Sequence, residues 1–206
     1  MATIRARDGW TYRITEGDRM WLARAVDGEG GEPGDVIWAY LQRLALTGFR
    51  RMTLSQLVQG HSQAINPDWS EGGRFCAPGG PSADLDVCSD ARLARRAINR
   101  AKSWGDLAPA TRMAIEALDA GRLPNTVPRA VDFATRNLSE RFVDSHPGSA
   151  ISVCRGNCFI VTPESRVWPD AFVQIGSSRS RALAWGLGIG AAVGVAGLGW
   201  LLWRSA

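Results

Sequence analysis

The chain has 206 residues, of which 45% are hydrophobic and 21% are charged, and it carries a formal net charge of +4. This composition excludes an intrinsically disordered chain and predicts one packed domain with at most a small appendage. Residues 1–176 hold 21 basic and 20 acidic side chains, so this part is nearly neutral and is not expected to bind nucleic acid.

The N-terminal segment, residues 1–15, is predicted to contain a β-hairpin. Side chains of alternating character flank Asp8 and Gly9, a pair that suits the positive φ angles of a two-residue turn. A helix follows, because Thr15 and Asp18 have the spacing of a capping box, in which each side chain accepts a hydrogen bond from the other residue's backbone.

The remainder of the first 176 residues predicts short helices separated by turns, with small β pieces near the end. Thr53 and Gln56 form a second capping signal. The segment 59–87 is rich in Gly, Pro, Asn, Ser and Asp and predicts a long loop, whereas the pattern over 131–136 is ambiguous. The predicted helices cover 16–27, 35–46, 54–58, 90–104 and 109–120, and the predicted strands cover 151–153, 158–161 and 172–175. The expected fold class is α+β and mainly helical.

Residues 182–203 contain no ionisable side chain. As a helix this segment would be about 33 Å long, which is enough to cross a bilayer. Trp185 stands near one end and Trp200 and Trp203 near the other, where aromatic rings favour the lipid headgroups. The sequence therefore predicts a C-terminal transmembrane helix, joined to the domain by a Ser/Arg linker over 177–181.

Two features of this predicted span concern its partners. Arginines are more numerous before the span than after it, which weakly favours a cytoplasmic position for the domain that precedes it. Three glycines spaced four residues apart would let one face of the helix pack closely against a second copy, so self-association is a further expectation. These glycines are Gly186, Gly190 and Gly194.

The four cysteines fall into two local pairs. Cys76 and Cys88 lie towards the end of the long loop, and Cys154 and Cys158 flank the predicted turn between two strands. Two local disulfides fit this arrangement, although free thiols or a zinc site remain alternatives. Disulfides would indicate that the domain works outside the reducing cytosol.

Residues 21–44, WLARAVDGEGGEPGDVIWAYLQRL, resemble the opening of the cell-wall hydrolase family that includes the spore-cortex lytic enzymes. In that family a helix ending in a Gly-Glu pair precedes a Gly-Glu-Pro turn and a second helix. The Glu of the first pair is the general acid of a lysozyme-like lytic transglycosylase. The resemblance implies a lysozyme-like domain and gives this role to Glu29.

Three later segments resemble the same family and follow in its order. They are LSQLVQGHSQAINPDW at 54–69, ALDAGRLPNTVPRAVDFA at 117–134 and GNCFI at 156–160. The similarity thus covers about residues 21–161. The chain departs from the family pattern in a turn after Glu29 that is one residue shorter, in His61 where an aromatic residue is common, and in Cys158 where a histidine is usual.

The chemistry of glycan cleavage agrees with the choice of Glu29. Breaking the MurNAc–GlcNAc bond requires a carboxyl group that is protonated near neutral pH. A Glu at the C-terminal end of a helix meets the negative end of the helix dipole, which raises its pKa, and apolar neighbours raise it further. By resemblance, a lytic transglycosylase needs only this one carboxyl group, because it acts first as acid and then as base.

Other residues are candidates for contacts with the sugar, and each also has an ordinary structural explanation. Glu32 or Asp35 could supply a second carboxylate or simply cap a helix, and the polar loop residues could serve as turn caps. His61 and His146 are too isolated for a metal site, and no cofactor is expected. The substrate-binding candidates are Glu32, Ser62, Gln63, Asn66, Asp132 and Phe133.

The expected function is a membrane-anchored peptidoglycan lytic transglycosylase that binds glycan strands and the lipid bilayer. The N-terminus lacks the apolar core of a secretory signal peptide, so a phage protein that acts in wall penetration, in a virion or cell membrane, fits these features best. The alternative is a non-enzymatic, membrane-anchored glycan-binding or virion structural protein with a lysozyme-like fold. The shortened turn after Glu29 and the absence of an aromatic residue at 61 favour that alternative.

Overall fold

A computed structural model of the chain describes residues 2–6, 8–70, 73–81, 83–84, 86–166 and 173–175. The fold is α+β and mainly helical with two small sheets, which confirms the predicted class. The linker at 177–181 and the membrane span predicted at 182–203 lie outside the described residues. Within the described ranges, no helix is long and apolar enough to cross a bilayer.

The described residues form eight helices. They are α1 (Glu16–Glu29), α2 (Pro33–Ala45), α3 (Leu54–His61), α4 (Pro67–Ser70), α5 (Asp90–Ala101), α6 (Pro109–Asp119), α7 (Arg136–Ser145) and α8 (Pro163–Arg166), with 3₁₀ turns at Asp86–Cys88 and Trp104–Asp106.

Each sheet has three antiparallel strands. The first contains β1 (Thr3–Arg5), β2 (Thr11–Arg13) and β6 (Val173–Ile175) in the order β2-β1-β6, and the second contains β3 (Asp132–Ala134), β4 (Ala150–Arg155) and β5 (Asn157–Val161) in the order β3-β5-β4. The predicted N-terminal hairpin is therefore confirmed. The strand predicted at 172–175 joins this hairpin by pairing with β1.

The start of α1 is fixed by a buried network around Asp18. The capping box between Thr15 and Asp18 forms as predicted. Asp18 is only 2% exposed, and its carboxylate also accepts hydrogen bonds from Tyr12 Oη at 2.8 Å and from Ser55 N and Oγ at 2.8 and 2.7 Å. One side chain thus joins β2, α1 and α3.

Helix α2 is the centre of the core. Eleven of its 13 residues are buried, because α1, α3, α6 and β3 all pack around it. Its one buried amide, Gln42, donates hydrogen bonds to the carbonyl oxygens of Val127 and Ala130 at 3.0 and 2.6 Å. Burial on every side holds Tyr40 of this helix in a fixed position facing the end of α1.

Helix α5 and helix α7 differ from the expectations. The helix predicted over 90–104 ends at Ala101, because the backbone of Lys102 leaves the helical conformation while its ammonium group binds Asp27 Oδ2 at 2.7 Å. Helix α7 was not predicted, although Thr135 at its N-cap is a typical capping residue type. The segment 131–136, ambiguous in the sequence, contains β3 and the first residue of α7.

Both cysteine pairs form disulfides. Cys76 is bonded to Cys88, Cys154 is bonded to Cys158, and no cysteine is free. The local pairing is confirmed, whereas the zinc and free-thiol alternatives do not occur. The second bond joins residues that face each other across β4 and β5, so it closes the turn between these strands.

The Cys76–Cys88 bond is expected to stabilise the fold by restricting the unfolded chain. The two residues are 12 positions apart, and closing a loop of this length contributes about 3 kcal/mol in the chain-entropy model. Replacing both cysteines by serine should lower the free energy of unfolding by about this amount in urea titrations without reductant. An unchanged urea midpoint for the double variant would contradict this role.

Candidate active site

A cleft of about 730 Å³ opens beside the C-terminal end of α1. Its base is formed by the end of α1 and by Tyr40 and Arg43 of α2, one wall is formed by α5, and the other by β3 and α7. The turn between β4 and β5 contributes Asn157. Elements distant in sequence therefore converge on the end of α1.

Glu29 is the last residue of α1 and lies in this cleft. Its Oε1 atom accepts a hydrogen bond from Ser62 Oγ at 2.5 Å and another from Tyr40 Oη at 3.2 Å. The chain can turn away directly after it, because Gly30 and Gly31 adopt φ angles of 72° and 77°, which favour glycine. The carboxyl group is thus held by two neutral donors and faces the cleft.

Burial raises the pKa of Glu29 above its usual value of 4.5. The hydrogen bonds from Ser62 and Tyr40 favour the carboxylate and act in the opposite direction, as does the main chain at Gln63 and Ala64. Burial also raises the pKa of Tyr40, and the charge of Glu29 adds to this effect, so the phenol stays a donor. A carboxyl group in these surroundings can carry a proton and release it to a ligand.

Helices α1 and α3 run side by side in the same direction, and this arrangement brings Ser62 to Glu29. Near their starts Asp18 binds Ser55, and at their ends Glu29 binds Ser62, the residue that follows α3. Ser62 is fully buried. Its hydroxyl oxygen also accepts a hydrogen bond from Ala64 N at 3.2 Å, which fixes the hydroxyl against the carboxyl group.

Three further candidates from the sequence also line the cleft, namely Gln63, Asp132 and Phe133. Gln63 is exposed. Asp132 forms an ion pair with Arg43, with Nη2 and Oδ2 3.0 Å apart. Phe133 packs edge-on against Tyr40 with ring centroids 5.5 Å apart, so it belongs both to the core and to the cleft.

The other carboxylate and amide candidates lie outside the cleft lining. Glu32 is exposed at the N-cap of α2 and makes no side-chain cap. Asn66 is buried, and its amide donates to Gly60 O at 2.8 Å and accepts from Asp68 N at 2.8 Å. Asp35 is fully buried and accepts a hydrogen bond from Thr126 Oγ1. Asn66 therefore has the loop-capping role that was its structural explanation.

Asn157 was not singled out in the sequence. Its Nδ2 atom donates to Gly30 O at 3.4 Å, and a Cβ atom added to Gly31 would lie 3.1 Å from the same nitrogen. The turn that leaves Glu29 thus packs against the turn closed by the Cys154–Cys158 bond. The sequence predicted a turn between these cysteines but held no information about where that turn would lie.

The histidines show no arrangement typical of a metal site. His61 lines the cleft and packs edge-on against Phe49, and His146 stacks on Phe142 of α7 with ring centroids 4.0 Å apart. In the part of the chain that the structure describes, no three His, Cys, Asp or Glu side chains cluster as metal ligands would.

Comparison of the chain with protein-family models, curated proteins and solved structures found no significant match. Function is therefore inferred from the cleft itself and from the ordered sequence segments that form it.

Proposed function

We propose that this protein is a peptidoglycan lytic transglycosylase with a lysozyme-like domain over residues 1–176. The observation that carries the proposal is Glu29, a carboxyl group with a raised pKa that lies in a large cleft and is held by Ser62 and Tyr40. The same residue holds the general-acid position in the family that the sequence resembles. Geometry and resemblance thus select the same side chain.

In the proposed reaction, Glu29 donates its proton to the oxygen between MurNAc and GlcNAc as the C1–O bond breaks. The MurNAc C1 then carries oxocarbenium character. The Glu29 carboxylate takes the proton from the MurNAc 6-hydroxyl while this oxygen bonds to C1, which closes a 1,6-anhydro ring and restores the acid. Ser62 and Tyr40 stabilise the carboxylate between the two proton transfers, because both donate to Oε1.

A transglycosylase is preferred over a hydrolase because the two other carboxylates of the described cleft lining, Asp86 and Asp132, are both ion-paired. Asp132 is bound to Arg43 and accepts a hydrogen bond from the backbone N–H of Phe133, so both of its oxygens are already engaged by the protein. Product analysis decides between the two reactions. Mass spectrometry of muropeptides from purified sacculi should show products with 1,6-anhydro ends, which are one water lighter than the corresponding hydrolysis products. A hydrolase would instead leave reducing ends.

The alternative is a membrane-anchored glycan-binding or virion structural protein with the same type of domain. It is favoured by the shortened turn after Glu29 and by His61 at an aromatic position of the family pattern. Retention of the full chain on insoluble peptidoglycan without release of any soluble fragment would select this alternative.

The proposed setting is a virion or cell membrane in which the domain faces peptidoglycan. In this proposal the protein is encoded by a phage and acts in wall penetration. Two observations support it. Both disulfides suit an oxidising compartment, and residues 182–203 have the length and composition of a membrane anchor. Labelling of single introduced cysteines on intact particles or cells would establish which side the domain occupies.

Ser62→Ala should move the alkaline limb of the pH profile of kcat/KM to higher pH by about one unit. The hydroxyl stabilises the Glu29 carboxylate, so its removal raises the pKa of Glu29 and keeps the acid form populated at higher pH. The matched control is Ser145→Ala at the exposed end of α7, which should leave the limb in place. A limb that stays fixed or moves to lower pH in Ser62→Ala would contradict the assigned acid.

A further inference from the structure

The wall of the cleft formed by α5 is basic. Arg92, Arg95 and Arg96 of this helix line it, and Arg43 lies at the base. The described lining contains three carboxyl groups against these four arginines, and one of the three is Glu29, whose pKa is raised. The described lining is therefore net positive even when all three carboxyl groups are ionised, which favours an anionic ligand.

Three of the four arginines are engaged by the protein. Arg96 is 4% exposed, and its guanidinium donates to the carbonyl oxygens of Gln63 and Val87, so it fastens α5 to the loop. Arg43 is paired with Asp132. Arg92 is paired with Asp86 at 2.7 Å, and both side chains are more than half exposed.

Arg95 differs from these three. It is exposed, and none of the described residues forms a hydrogen bond or an ion pair with its guanidinium group. It also lines a second cavity of about 470 Å³, which shares Gly28 and Asn99 with the main cleft. Arg95 thus stands at the junction of two spaces as a cation that is available to a ligand.

The second cavity has a different character from the main cleft. Its two charged residues other than Arg95, Asp27 and Lys102, are paired with each other at 2.7 Å. Ala94 and Ile98 of α5 also line it, and Ile98 is 63% exposed. A cavity with small apolar surfaces next to a free cation suits a short peptide that carries a carboxylate and methyl side chains.

We propose that Arg95 binds a carboxylate on the 3-O-lactyl arm of MurNAc and that the second cavity receives the peptide attached to this arm. The inference rests on the proposed function and deepens it by naming the part of peptidoglycan that is recognised. The glycan backbone itself carries only hydroxyl and N-acetyl groups, so the lactyl arm is the source of negative charge. The anion is a carboxylate of the stem peptide, or the lactyl carboxylate itself where the peptide has been removed.

The test compares the full chain and its Arg95→Gln variant on three soluble glycan strands. The first bears stem peptides, the second has been trimmed by an amidase to the free lactyl carboxylate, and the third carries that carboxylate as a neutral methyl amide. Arg95→Gln should lose about tenfold in kcat/KM on a charged strand and nothing on the neutral strand. A loss of kcat/KM on the first strand alone identifies the stem-peptide carboxylate as the group that Arg95 binds. A loss on the second strand alone identifies the lactyl carboxylate.

Two variants control for effects unrelated to this contact. Arg95→Lys should recover part of the activity, since the charge is kept while the planar group is lost. Arg51→Gln removes an exposed arginine that is not part of the cleft lining and should behave as wild type. A loss in Arg95→Gln that extends equally to the neutral strand would overturn the proposal.

Binding separates this inference from the proposed reaction. Calorimetry with disaccharide-peptide in a Glu29→Gln background should show about tenfold weaker binding when Arg95 is also replaced by Gln. If no variant cleaves any strand but this difference is observed, the transglycosylase proposal fails and the recognition site stands. If cleavage is normal and Arg95→Gln matches wild type on all strands, the recognition site is overturned and the reaction stands.

Discussion

Glu29→Gln should abolish detectable release of soluble fragments from purified peptidoglycan, with a rate at least about 10²–10⁴-fold below wild type. The amide keeps the size of the side chain and can accept the hydrogen bonds from Ser62 and Tyr40. It has no proton to give to the glycosidic oxygen and cannot take one from the 6-hydroxyl. Both steps of the proposed reaction are therefore removed together.

The matched control is Glu116→Gln, which changes the same functional group on the exposed face of α6 and should cleave at the wild-type rate. Folding of Glu29→Gln is checked by its melting temperature, which should equal or exceed that of wild type. The reason is that burial disfavours the Glu29 carboxylate, so a neutral amide at this position removes a cost near neutral pH. A folded Glu29→Gln protein with wild-type activity would refute the assignment.

Asp18→Ala should lower the free energy of unfolding by about 3–5 kcal/mol. The variant leaves the backbone N–H and the hydroxyl of both Thr15 and Ser55, together with the Tyr12 hydroxyl, without their acceptor. These donors come from three elements, so the damage is not confined to the cap of α1. Urea denaturation followed by circular dichroism measures the effect.

Asp106→Ala is the matched control for this change. Asp106 occupies the same position in another capping box, which begins at Ser103, and it accepts hydrogen bonds from Ser103 N and Oγ. That box is exposed, and water can replace the lost acceptor. Asp106→Ala should therefore shift the urea midpoint far less than Asp18→Ala. Comparable shifts for the two variants would show that the burial of Asp18 contributes nothing to stability.

The contribution of Asp18 should also depend on pH. Burial alone would raise the pKa of Asp18, but hydrogen bonds from Ser55, Thr15 and Tyr12 outweigh it and hold the pKa below its usual value of 3.8. A depressed pKa in the folded state gives stability that is present above the unfolded pKa and is lost as pH falls through the folded pKa. The difference between wild type and Asp18→Ala should accordingly shrink below about pH 4.

The parts of the fold that follow local rules could be predicted from the sequence. The two capping boxes that begin at Thr15 and Thr53 are complete in the structure, because each depends on residues three positions apart. The local cysteine pairs are confirmed as well, because each bond joins residues that are near one another in the chain. Glu29 was selected from the order of sequence segments, and the structure places it in the cleft.

The parts that depend on distant pairing could not be predicted. The partner of β6 is β1, at the opposite end of the chain, and no local pattern encodes that choice. Helix α5 could be recognised as basic, but its position beside Glu29 follows from the buried contacts of Arg96 with Gln63 and Val87. The availability of Arg95 is a consequence of that packing and has no counterpart in the sequence alone.

The side-by-side arrangement of α1 and α3 constrains the number of residues between Asp18 and Glu29. Asp18 and Glu29 are 11 positions apart, which is close to three helical turns, so both side chains face α3. Adding or deleting one residue between them would rotate Glu29 by about 100° and shift it by about 1.5 Å along the axis, away from Ser62 and Tyr40. Insertions and deletions within α1 would therefore separate the acid from its two donors.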